Sequence, residues 1–127
     1  MGAEAMPPPD EPLYDLYVRG MAHLERHDYA QATVALEKVA RRDPQKSSVR
    51  EALGRAYFHL RRYRAAADEF AAVVERHPVN HYAHFCLGRS LSKAGRAEEA
   101  RAHLALAANL RPDRADYRRY RDAARSA

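Results

Sequence analysis

Residues 53–78, LGRAYFHLRRYRAAADEFAAVVERHP, decide the fold. Val49, Leu53, Ala56 and Tyr57 recur at helical spacing, and so do Ala66, Phe70, Val73 and Val74. Arg61 and Arg62 mark a turn between the two stretches. Pro78 ends the second, because proline disfavours helix in the residue before it. Gly54 stands inside the first, where glycine costs about 1 kcal/mol against alanine. Its presence there predicts a neighbouring helix too close for a side chain.

Outward from this stretch the markers repeat. Gly20 and Gly88 flank Gly54 at equal distances along the chain, and Pro44 and Pro112 flank Pro78 at that same distance. Copies can be written without a gap as 13–46, 47–80 and 81–114. The first gives Gly20, Ala32, Leu36 and Pro44; the third gives Leu87-Gly88, Leu91, Ala100, Leu104 and Pro112. Two residue types that keep one register mark a repeat protein, in which each unit buries its core against its neighbours. Ala32, Ala66 and Ala100 would admit the same close approach from the second helix of each pair.

This pattern resembles the tetratricopeptide repeat over residues 13–114. The resemblance implies an all-α, right-handed α-solenoid of three helical hairpins. Some positions depart from the family. Its usual Trp is Leu16, Arg50 and His84 here, the Leu before the first Gly is Arg19, and His23 stands where Tyr is usual. A thinner core than in an idealised array is the expectation. Beyond the repeats, Tyr117, Tyr120 and Ala124 share a face at helical spacing, with Arg114, Arg118, Arg121 and Arg125 over much of the rest. Residues 115–127 therefore read as a C-terminal capping helix and tail. Residues 1–12, with Pro7, Pro8, Pro9 and Pro12, read as a flexible lead-in. Ser48 with Glu51 has the spacing of a capping box opening the third helix, and Asp28 with Gln31 that of a similar start for the second.

Composition narrows the function. A chain of 127 residues predicts one structural unit. It holds no long apolar run and no signal-like start, and Cys86 has no second cysteine to pair with. These features predict a soluble cytoplasmic protein, and the richness in Arg and Ala suggests a bacterial genome of high GC content. No phosphate loop, zinc-protease motif or nucleophile elbow occurs. Glu98 and Glu99 are adjacent on a helix and diverge. The expectation is no enzyme, no cofactor, no metal and no membrane partner. His77, His81 and His84 are close in sequence, but zinc wants a fuller ligand set. The plain reading makes His84 a substitute packing ring and His77 and His81 solvated loop residues. Cys86 has two readings: a small hydrophobe near the inner surface, or a thiol drawn toward thiolate by Arg89 one turn on.

In tetratricopeptide domains the first helices of the repeats line a concave groove that takes ligands. Carried over residue by residue, that resemblance implies Tyr14, Tyr17, Met21 and Leu24 from the first copy. The second gives Ser48, Glu51, Arg55, Phe58 and His59, and the third gives Tyr82, Phe85, Arg89, Ser92 and Lys93. Arg55 and Arg89 occupy equivalent places one repeat apart. The Lys and Asn of the family's carboxylate clamp are replaced by Tyr17 and Met21, which argues against that specific activity. Aromatic and Arg residues dominate binding hot spots, and Arg grips a carboxylate with two parallel hydrogen bonds. The expected function is a protein-interaction adaptor, a monomer or weak homo-oligomer, holding a peptide segment with an acidic group or free C-terminus and apolar flanks. Two rivals remain. The net charge of +5, with Arg41, Arg42, Lys46, Arg50, Arg55, Arg61, Arg62 and Arg64 close together, allows nucleic-acid binding through phosphates. Self-assembly would use Tyr117 and Tyr120 on an incompletely covered last helix.

Overall fold

A computed structural model describes residues 11–126. Those residues form seven helices and no strand: α1 (Leu13–Glu25), α2 (Tyr29–Arg42), α3 (Ser47–His59), α4 (Tyr63–Arg76), α5 (His81–Lys93), α6 (Ala97–Leu110) and α7 (Ala115–Ser126). Most of the segment expected to be a lead-in, residues 1–10, lies outside the described residues. No helix among those described is long and apolar enough to cross a membrane.

The helices pair as α1 with α2, α3 with α4 and α5 with α6, and each hairpin packs on the next. The glycines sit at the crossings. A Cβ on Gly20 would stand 2.7 Å from Leu36 Cγ, one on Gly54 2.7 Å from Phe70 Cε2, and one on Gly88 2.7 Å from Leu104 Cγ. The large residue facing each glycine from the second helix thus fills the space the glycine leaves. Ala32, Ala66 and Ala100 are all buried in the same core. α1 touches α3, and α3 touches α5, whereas the second helices make no comparable contact with one another. The first helices therefore lie on the inner side of the curve.

Each second helix ends two residues before its proline. The carbonyl of that proline receives a bond from the position where the family carries Trp. Arg50 Nε donates to Pro44 O (3.1 Å), His84 Nε2 to Pro78 O (2.7 Å) and Arg118 Nη1 to Pro112 O (2.5 Å). Polar heads here replace an aromatic body, and they bond the proline carbonyls just beyond each helix end. The same residues bond sideways. Arg50 pairs with Glu69 at 3.0 Å, and His84 meets His103 on α6. Since Pro78 O can only accept, His84 Nε2 carries the hydrogen; in the neutral ring its Nδ1 then accepts from His103 Nδ1–H at 3.0 Å. The inter-helix contacts that the missing Trp put in question are present, apolar at Leu16 and polar at Arg50 and His84.

Three sequence expectations are corrected. The Ser48–Glu51 capping box does not form: α3 opens one residue earlier, with Lys46 at its N-cap and no side-chain bond there. Lys46 O already accepts from the amides of Val49 and Arg50. Asp28 does precede α2, but its carboxylate caps no amide. Among α1 to α6 a side-chain cap occurs at α5, where Asn80 Oδ1 accepts from Ala83 N at 3.0 Å. His81 is not a loop residue; it opens α5. Arg111 Nη1 donates to its Nε2 (3.3 Å), so its Nδ1 donates to the Tyr117 hydroxyl (2.7 Å).

α7 begins one full repeat after α5, in the register of a further first helix. At the Leu-Gly position of the repeats it carries Arg121-Asp122. Its inner face is firmly held: Tyr117 is 0% exposed and stacks on Phe85 with ring centroids 4.6 Å apart. That burial removes Tyr117 from any contact between copies, which corrects its part in the self-assembly expectation.

Candidate functional site

The inner faces of α3 and α5 enclose a pocket of about 90 Å³ lined by Arg55, Phe58, His59, Phe70, Tyr82, Cys86 and Arg89. Five of the residues expected in the groove meet there: Arg55, Phe58, His59, Tyr82 and Arg89. Phe70 forms the floor from α4 because Gly54 lets it reach through. Larger hollows lie beside Leu16, Lys38 and Arg41 and beside Ser47, Val73 and Val79, but neither gathers aromatic rings around a cation.

Among the described residues no ion pair involves Arg55 or Arg89. Arg89 instead lies over two rings, Phe58 at 4.9 Å and Tyr120 at 4.7 Å. Phe58 meets Tyr63 edge to face, and His59 lies flat on Tyr29 with centroids 4.4 Å apart. Burial lowers the pKa of His59, and the nearby His27, Arg55 and Arg89 lower it further.

Cys86 is held as a thiol. Burial pushes its pKa up to about 11 against the opposing hydrogen bond with Tyr82 and the charges of Arg89 and Arg55. The thiolate reading is therefore wrong, because desolvation outweighs the Arg89 charge. The Tyr82 hydroxyl is pushed upward too, first by burial and then by Cys86.

Other expected groove residues lie elsewhere. Tyr14 is 73% exposed on α1. Tyr17 and Met21 are half-buried against the core, and Lys46 Nζ stands 5.3 Å over the Tyr17 ring. Glu51 lines the neighbouring hollow beside Ser48 and Val79. Ser92 and Lys93 are exposed beyond the pocket. Leu24 and Phe85 are corrected to core positions. Leu24 is buried in the first hairpin, and Phe85, 8% exposed, is covered by α7 through Tyr117 and Tyr120. Sequence reasoning missed Tyr120 as part of this surface. The signal was present, since Tyr120 stands one repeat period after Cys86.

Of the basic residues gathered in the sequence, Arg41 lines one hollow with Lys38 and Arg42 and another with Arg50. Arg50 is paired with Glu69, Arg62 lies over Tyr57, Arg42 donates to Glu11 O, and Arg55 faces the pocket. Among the described residues no group of three metal-ligating side chains occurs.

The histidines link stability to pH. Burial, as the largest cause, lowers the pKa of His59, His81 and His103; His84 adds to the effect on His103, and Arg111 and Arg114 to that on His81. Each folded value lies below the unfolded one, so the unfolded chain takes up the proton first as pH falls. The stability these groups contribute is whole above about pH 6.5, the ordinary histidine value, and is lost as pH falls toward the folded values. The thermal midpoint should be lower at about pH 5.5 than at about pH 7.5; equal midpoints would contradict the assignment.

No curated protein matches the chain in sequence. Solved structures do match in shape. A MamA structure, "MamA MSR-1 C2", is 26% identical with a TM-score of 0.83, over 90% of this chain and 66% of that one. MamA from Desulfovibrio magneticus RS-1 is 21% identical with a TM-score of 0.81, over 91% of this chain and 71% of that one. The first repeat domain of Spaghetti (RPAP3), bound to the HSP90 peptide SRMEEVD, is 18% identical with a TM-score of 0.82, over 90% of both chains. The last two likenesses show the fold alone. This chain thus spans just under two thirds of the first of these structures. The tetratricopeptide repeat family matches residues 23–86, across the central hairpin and into its neighbours on either side. With that match and the stacked helical hairpins, the chain belongs to the tetratricopeptide repeat family.

Proposed function

We propose that this chain is a protein-interaction adaptor without catalysis, which holds a segment of a partner protein along its inner face. An acidic group of the segment lies between Arg55 and Arg89. Its apolar side chains rest on Phe58 and Tyr82 and, farther along, on Tyr14, Tyr17 and Met21. The observation that carries this reading is the pair of in-register cations on an aromatic-lined pocket, neither of them in an ion pair among the described residues. Other arginines, such as Arg26, Arg64 and Arg101, also form no ion pair among the described residues, but only Arg55 and Arg89 line this pocket beside its rings. Free cations beside ring faces and a small hollow form the kind of anchor that binding hot spots use. In the Spaghetti (RPAP3) domain the same fold is bound to a peptide rich in acidic residues.

Charge reversal tests the proposal. The double variant Arg55→Glu, Arg89→Glu should keep the helical circular dichroism, because Arg55 is exposed and neither residue makes an ion pair among the described residues. It should lose the partner captured by the unaltered protein from native lysate. Capture of the same partner by the double variant would overturn the groove assignment.

A further inference from the structure

The stacked groups of the inner face continue past the three hairpins. Arg89 comes from α5, and the two rings against it come from helices on either side, Phe58 from α3 and Tyr120 from α7. The guanidinium is therefore held between them. Contact with rings leaves its N–H edge as the part able to donate, and Arg89 lines the pocket. Tyr120 is itself fixed. It meets Phe85 edge to face at 5.2 Å and remains 37% exposed, while α7 is anchored through the buried Tyr117. The ring is particular to α7, since Ala52 and Cys86 occupy the equivalent places in α3 and α5.

We propose that α7 is a wall of the binding site and that Tyr120 is a positioning residue for Arg89, fixing its N–H edge so that the site prefers a carboxylate over an uncharged isostere. This deepens the groove reading and rests on it. A guanidinium already held in place loses little rotational freedom when a ligand arrives, and its planar fork receives both carboxylate oxygens at once. A lysine in the same place, or an arginine free to swing, would attract acids with less geometric selection.

The test uses short random peptides displayed in two formats, one with the segment internal and one with a free C-terminus. Selection on the unaltered protein should enrich Asp or Glu in the first format or a free terminus in the second, which identifies the source of the carboxylate. The winning peptide and its amide counterpart are then titrated against variants. Tyr120→Leu keeps an apolar cover on Phe85 but removes the ring from Arg89. It should weaken binding of the acidic peptide about fivefold, leaving the amide peptide unchanged. Tyr120→Phe should restore the preference. Circular dichroism and thermal midpoint are read on each variant, and Tyr120→Phe serves as the folded reference. An acid-over-amide preference undiminished in Tyr120→Leu overturns the inference while leaving the groove reading standing. Winning peptides that bind the Arg55→Glu, Arg89→Glu variant unchanged sink the groove reading, and this inference with it.

Discussion

Phe70→Ala is expected to cost about 4 kcal/mol of stability, the upper part of the range for emptying a core aromatic site. The ring is buried in the main core, and Gly54 brings the adjacent helix against its face. On the α3 side the ring faces Gly54, which has no side chain to move into the space. The position also matters. In a stacked array each unit contacts only its neighbours, so damage to the central hairpin uncouples both ends. Leu36 and Leu104 hold the equivalent places in the outer hairpins, and Leu104→Ala should cost less. Domains commonly have only about 5–15 kcal/mol in total, so Phe70→Ala should remove much of it. Urea unfolding followed by circular dichroism reads the change as a lower midpoint. A loss below about 1 kcal/mol would mean that the ring does not carry the central crossing.

Gly88→Val is expected to cost about 3 kcal/mol. The new Cβ would stand 2.7 Å from Leu104 Cγ and 3.2 Å from the Leu104 backbone nitrogen. A side-chain rotation can relieve the first contact but not the second. Valine gains only about 0.4 kcal/mol over glycine in helix propensity, too little to offset the clash. Gly95→Ala provides the contrast. Gly95 has φ +83°, and a Cβ there would meet nothing within 4 Å. Its cost is backbone strain alone, about 1 kcal/mol. His27 and Arg61 already bear the same strain at the equivalent turns, with φ of 64° and 63°. Denaturant midpoints for the two variants should therefore separate clearly. The reverse order would place the constraint in the turns rather than in the crossings.

Legibility followed the range of the interactions. The contacts of Gly20, Gly54 and Gly88 are each made within one hairpin, and the constant period makes them visible three times. The capping box was misread because a one-residue shift in a helix start leaves the hydrophobic pattern almost unchanged. Lys46 at the N-cap makes no side-chain bond that a spacing rule could detect. Phe85 and Tyr17 look alike in register, at equivalent positions of two first helices. Phe85 is nevertheless buried, because α7 lies over it and carries Tyr117 and Tyr120. Cys86 was undecided between thiol and thiolate until its burial could be weighed against the charge of Arg89.

The amino-acid order alone determined that this protein is a row of helical hairpins, since evenly spaced glycines and prolines fix where rods must touch and where they must stop. It also determined that Arg55 and Arg89 share a face, because equal register means equal orientation. Tertiary structure decided what surrounds them. Tyr120 reaches Arg89 from almost a full repeat away only because α7 stacks as one more first helix, and no local pattern encodes that encounter. The physical reason is that periodicity specifies the contacts within a unit, whereas the surroundings of a surface charge depend on how successive units curve around it.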